Sequence, residues 1–209
     1  PNSMSMGGAL RPEMAIEHFK RVTDATDLPI ILFQYPAATG LGYPFETLLK
    51  LLDTFPTIRA IKDWCADPML HEKHTRTLQS LPRPVNVLTT HSAWLMGSLT
   101  MGANGLLSGA GSVIADLQVA LFQAVQAKDL RRAQAINDRI YPLQQAFYAP
   151  PFLDMHNRMK ECLVMLGRLN RAVVRPPLMK LGAAELARLK DALRHAGLGA
   201  DGALPQAAE

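Results

Sequence analysis

Lys62 stands alone at the end of a short apolar run, Thr57-Ile58-Arg59-Ala60-Ile61-Lys62, with Asp63-Trp64 behind it. Period-2 alternation places Lys62 on the same side of a strand as Ala60 and Ile58, the apolar side. An amine at the inner end of a buried strand is partly desolvated. That lowers its pKa and suits it to Schiff-base chemistry with a carbonyl. The same position also suits a lysine that leaves the sheet and extends its ammonium into solvent. His91 follows another strand end, where an imidazole could touch a substrate. Ser108-Gly109-Ala110-Gly111-Ser112 could form an anion-binding turn. His71-Glu72-Lys73-His74 lacks the H-E-x-x-H spacing and a third ligand, so it reads as a solvated helix face. No metal ligand set and no cofactor motif is expected.

The elements that would position these residues follow a regular rhythm. A helix over Glu13–Ala25 is closed by Asp27-Leu28-Pro29, and Ile30 to Tyr35 is a β-branched and aromatic run bounded by Pro36. Pro44 starts a helix over Phe45–Phe55, and the strand bearing Lys62 comes next. Asp67-Pro68 opens a helix to about Ser80, Val85–Thr89 is a strand, Ser92–Met101 a helix and Gly105–Ser108 a short strand. Strands alternating with helices at this spacing imply βαβ units and a parallel sheet buried on both faces. Beyond Gly111 the pattern is helical only, over Asp116–Lys128, Leu130–Tyr148, Met155–Leu166 and Ala184–Ala196. The expected organisation is a βα region over 1–115, a helical region over 116–198 and a Gly/Ala/Pro/Gln-rich, disordered tail over 199–209.

Four βα units make half of a (β/α)₈ barrel or a small open doubly wound sheet, and the glycine-rich fingerprint of the latter is missing. In a barrel the strand ends Phe33-Gln34-Tyr35, Lys62-Asp63, Thr89-Thr90-His91 and Leu107-Ser108 converge on one mouth.

Composition excludes several classes. With 48% hydrophobic and 19% charged residues, the chain has the balance of a globular domain. No apolar stretch reaches the ~18–20 residues a membrane span needs, so no membrane partner is expected. Cys65 and Cys162 fit no disulfide framework, which points to a reducing, cytoplasmic setting. The charge of +4 is concentrated in the C-terminal helices, among them Arg158, Lys160, Arg168 and Arg188. These alternate with apolar positions without aromatic interleaving, so a solvated helix face is expected and no nucleic acid. The first residues, Pro1 to Gly8, read as a loop entered from something upstream.

The combination Leu28-Pro29-Ile30-Ile31-Leu32-Phe33-Gln34-Tyr35-Pro36, Thr39-Gly40, Ile61-Lys62, Met101-Gly102-Ala103-Asn104-Gly105 and Val173-Val174-Arg175-Pro176-Pro177-Leu178 resembles the dihydrodipicolinate synthase and N-acetylneuraminate lyase family. The resemblance runs from about Glu17 to Leu198 and corresponds to the C-terminal two-thirds of a typical member. It implies an α/β fold, a (β/α)₈ TIM barrel of which this chain carries the second half (strands 5–8), followed by a C-terminal helical extension.

It also implies a lyase or aldolase that forms a Schiff base with pyruvate or a related 2-oxo acid, working as a homo-oligomer, dimer or tetramer. Lys62 matches the imine-forming lysine. Thr39, Thr89, Thr90, Leu107 and Ser108 match positions around the 2-oxo acid. The family's proton-shuttling tyrosine falls on Phe33, which has no hydroxyl; Tyr35, two residues on and on the same side, is the candidate substitute. Ala38 stands where true dihydrodipicolinate synthases usually carry an arginine for the second carboxylate, which argues against that particular activity. The family's first four strands, with their carboxylate-binding loop, have no counterpart. The alternative is a non-catalytic homologue that binds a 2-oxo acid or a partner protein.

Overall fold

The computed structural model describes residues 11–199. The expected upstream-entered loop and, beyond Gly199, the expected disordered tail lie outside the described residues. The chain divides into two compact units between Ser108 and Gly109. The expected boundary at 115 falls later because the helix read as starting at Asp116 already begins at Gly111, with a break in its backbone at Ile114 (φ −124°, ψ 39°).

The first unit alternates as its sequence dictates: α1 (Pro12–Ala25), β1 (Ile30–Gln34), α2 (Phe45–Thr54), β2 (Ile58–Asp63), α3 (Pro68–Gln79), β3 (Asn86–Thr89), α4 (Leu95–Thr100) and β4 (Gly105–Leu106). The strands form one parallel sheet in the order β1-β2-β3-β4. Proline at the first helical turn starts α1 and α3, where its missing N–H has no cost. Asp67 caps α3, its carboxylate accepting from the N–H groups of Met69 (2.8 Å) and Leu70 (3.2 Å).

One sheet face is sealed by helices. Leu32, Ile58, Ile61 and Val87 pack there with Phe19 of α1, Leu48, Leu51 and Leu52 of α2, and Leu78 of α3. Each fully buried Leu or Ile contributes about 1.5–3 kcal/mol of apolar burial. Ile58 and Ile61 share this cluster although strict alternation would put them on opposite faces. The β1–β2 register slips between Ile30 and Ile31, so Ile30 pairs with Ile58 and Ile31 with Ala60. Lys62 therefore does not share a side with Ile58 as expected; an irregularity absorbs the extra residue and resets the alternation ahead of it.

The second unit contains α5 (Gly111–Gln126), α6 (Leu130–Phe147), α7 (Met155–Met165) and α8 (Ala183–His195). Asp129 caps α6 by accepting from the N–H of Arg132 at 2.9 Å. Its basic residues are not simply a solvated face. Arg158 is fully buried, donating to Glu185 (2.6 Å) and to the carbonyls of Phe147, Ala149 and Pro150. Lys160 donates to the carbonyl of Val173 and Arg168 to that of Val113. Among the described residues, no helix is long and apolar enough to cross a membrane.

Candidate functional site

The sheet presents two chemically different sides at the C-terminal end of β2. Along β1, Leu32 and Gln34 are buried while Ile31 is exposed and Phe33 half-buried. Phe33 pairs with Lys62, and Lys62 with Leu88, so the three share the face away from the helices. Lys62 is half-buried, and burial lowers its pKa below the ordinary lysine value. Its Nζ lies 4.2 Å from the centre of the Phe33 ring. A cation over an aromatic face gains about 0.5–1 kcal/mol at such sites. That opposes the burial effect by less than a tenfold change in protonation.

The Tyr35 ring packs against Phe33 at a tilt of 59° (ring centres 4.6 Å apart) and meets Trp64 edge-on at 4.8 Å. The backbone behind it is tight: a Cβ on Gly42 would sit 1.8 Å from the Tyr35 carbonyl oxygen, so only glycine fits. Gln34, on the helix side, donates to the Tyr43 carbonyl (2.8 Å) and accepts from its N–H (3.2 Å), which holds the segment after β1 against the strand end. Thr39 spends its hydroxyl on the same turn, donating to the Pro36 carbonyl at 2.7 Å and accepting from the N–H of Leu41.

The other expected residues separate. Leu107 is exposed and its N–H donates to the Thr89 carbonyl. Ser108 lies 2.6 Å, hydroxyl to hydroxyl, from Ser92, and Thr90 donates its N–H to the Asp63 carbonyl. Thr89 and His91 lie on the helix side. Thr89 shares the helix-facing side with Val87, is fully buried and accepts from the N–H of His91 at 3.1 Å. His91 is buried as well, its Nε2 3.7 Å from the Cys65 sulfur and its ring 4.6 Å from that of Trp94. Burial and its histidine neighbour His71 hold its pKa down at about 4. Neither side chain joins Lys62 on its face.

What the sequence reading missed lies on that helix side. Asp63, adjacent to Lys62 and pointing the other way, is fully buried. Its Oδ2 accepts from Nδ1 of His71 (2.7 Å) and of His74 (2.8 Å), and its Oδ1 from the N–H of Cys65 (3.1 Å). Burial alone would raise the pKa of Asp63. The hydrogen bonds from His71 and His74 overcome that and hold it well below the usual carboxylate range. His71 and His74 are thus buried, not the solvated pair expected. They sit one turn apart on one face of α3, and the available signal was a carboxylate at the buried end of a strand, which must find donors.

A protein-family model described as the dihydrodipicolinate synthetase family matches residues 10–196. The chain belongs to that family. The 4-hydroxy-tetrahydrodipicolinate synthase of Acidobacterium capsulatum is 30% identical over 91% of this chain and 61% of its own length. YagE, a prophage protein of E. coli K12 belonging to the dihydrodipicolinic acid synthase family and solved in complex with pyruvate, is 26% identical, with a TM-score of 0.79 over 91% of this chain and 63% of that one. The dihydrodipicolinate synthase of Thermotoga maritima shares the fold at a TM-score of 0.78 with 19% identity, over 90% of this chain and 62% of that one. The chain thus spans about 60% of the length of the family members it matches.

Proposed function

We propose that this chain carries the imine-forming part of a lyase or aldolase acting on pyruvate or a related 2-oxo acid, with Lys62 as nucleophile. The observation that carries the reading is a half-buried amine with lowered pKa at the C-terminal end of a parallel strand, in a family whose member YagE binds pyruvate. The unprotonated amine adds to the keto carbon, the oxygen leaves as water, and the iminium accepts the electron pair released by deprotonation or cleavage at the neighbouring carbon. The half-covered face bearing Phe33, Lys62 and Leu88 fits the interior of a barrel, with these strands as its second half. Thr90, Leu107 and Ser108 remain the strand-end candidates for holding the 2-oxo acid, and Tyr35 the candidate proton carrier. Ala38 in place of an arginine favours a substrate without the second carboxylate that true dihydrodipicolinate synthases grip.

A second reading has its own observation: Nζ of Lys62 rests on a phenyl ring where the family places a tyrosine. A non-catalytic homologue that binds a 2-oxo acid would tolerate that. Incubation of the purified chain with pyruvate and borohydride, followed by peptide mass mapping, tests the proposal. The expected result is a reduced adduct on the peptide containing Lys62, absent in Lys62→Ala; an unmodified Lys62 overturns it. Under the second reading, Lys62→Ala leaves stabilisation by pyruvate intact, and Phe33→Tyr raises turnover in the complete enzyme.

A further inference from the structure

Asp63, Cys65, His71 and His91 bring a carboxylate, a thiol and two imidazoles together inside the first unit. They arrive from the end of β2, the turn behind it, the first turn of α3 and the turn after β3, and one ligand atom from each lies within 4.8 Å of all the others. Their exposures are 0%, 4%, 0% and 2%.

The Cys65 thiol now donates to the Asp67 carbonyl at 3.2 Å, a bond that ligation would replace. The Cys65 sulfur and Nε2 of His91 are 3.7 Å apart. That matches the edge of about 3.6 Å of a tetrahedron with metal–sulfur and metal–nitrogen bonds of about 2.3 and 2.05 Å. Nε2 of the neighbouring His74 is buried without a hydrogen-bond partner among the described residues. An outer layer is already in place: His74 and the N–H of Cys65 orient the Asp63 carboxylate, and Ser98 Oγ lies 2.6 Å from Nε2 of His71. Outer partners of this kind fix ligand orientation and imidazole tautomer.

We propose that Asp63, Cys65, His71 and His91 form a closed four-ligand site for a zinc-class divalent cation. A thiolate and a carboxylate around a divalent ion sum to zero charge, which suits burial. Thiolate with imidazole selects zinc-like ions over magnesium or calcium. The Cys65 thiol releases its proton to solvent on binding. His71 stays neutral but shifts its proton from Nδ1 to Nε2, donating to Ser98 Oγ, so Nδ1 is free to ligate beside Oδ2 of Asp63. Their 2.7 Å separation opens to about 3.3 Å. With no position left for substrate, the ion is structural and ties the end of β2 to α3 and to the turn after β3. The expectation of no metal weighed His71 with His74 along the helix; the ligands come instead from across the strand ends.

The test is titration of the chelator-treated, purified chain with cobalt(II), followed by displacement with zinc. One ion per chain is expected, with a thiolate-to-cobalt charge-transfer band and one proton released. Cys65→Ser abolishes the band, Cys162→Ser keeps it in full, and His91→Gln weakens binding at least tenfold. The wild-type chain loaded with zinc gives a second measurement that needs no variant to fold: X-ray absorption at the zinc edge shows one sulfur at about 2.3 Å among nitrogen and oxygen ligands. Absence of saturable one-to-one binding, a band that survives Cys65→Ser or disappears in Cys162→Ser, or a sulfur-free zinc shell overturns the proposal. None of these readouts depends on turnover.

Discussion

Replacing Asp63 by alanine strands three buried donors: Nδ1 of His71, Nδ1 of His74 and the N–H of Cys65, now 2.7, 2.8 and 3.1 Å from its oxygens. A buried donor left unpaired costs about 1–3 kcal/mol, and breaking a buried charged network typically costs about 3–5 kcal/mol. The imidazoles can recover part of this by changing tautomer, so about 3–5 kcal/mol is the expected loss for Asp63→Ala. Asp63→Asn keeps one acceptor oxygen and turns an amide N–H₂ toward a donor, so it loses about 1–3 kcal/mol. Both tryptophans of the chain, Trp64 and Trp94, lie in the first unit, and the Trp94 ring is 5.7 Å from that of His71. Urea unfolding followed by tryptophan fluorescence, with chelator present, therefore reports on this unit. At a slope of about 2 kcal/mol per molar urea, the alanine variant should melt about 1.5–2.5 M earlier and the asparagine variant between it and wild type. An alanine variant within about 1 kcal/mol of wild type would falsify the assignment of Asp63 as the carboxylate that holds these elements together.

In the second unit, Arg158→Ala takes a buried donor from three carbonyls and leaves Glu185 with Arg188 alone (3.1 Å); about 3–5 kcal/mol of destabilisation is expected by circular dichroism. Arg158→Lys should recover little, because one ammonium cannot replace the planar fork, and full recovery would refute that account. Cys162 is fully buried, and burial, reinforced by Glu161, pushes its thiol up to about 12. At pH 8 its thiolate fraction is then on the order of one in ten thousand, and native-state alkylation should be far slower than for a free thiol. Labelling of Cys162 at the free-thiol rate, read by mass spectrometry, would contradict its placement.

The alternation of strand and helix was legible because each strand is a short apolar run between turn residues. The parallel order then follows from helical crossovers. The facing of β2 was not, since it depends on a register slip against β1 that no single strand encodes. The pairing of Phe33 with Lys62 is likewise set by that register. Thr89 and His91 were placed by position at a strand end alone, and alternation from Val87 would already have sent Thr89 to the helix side. His71 and His74 read as solvated because their spacing is not H-E-x-x-H and the helix offers no third ligand. Their partner lies eight and eleven residues back, on the strand. A helical window cannot see it.

The two sides of β2 are nonetheless one physical problem. Lys62 and Asp63 are consecutive, so alternation forces them to opposite faces, and whatever anchors one fixes the backbone of the other. Nζ of Lys62 hangs on a long, flexible stem, 4.2 Å from the centre of the Phe33 ring. Asp63 is rigid by contrast, with three donors on its oxygens and its carbonyl accepting from the N–H of Thr90. The position from which the amine reaches is therefore set from the helix side, by Asp63 and the residues around it.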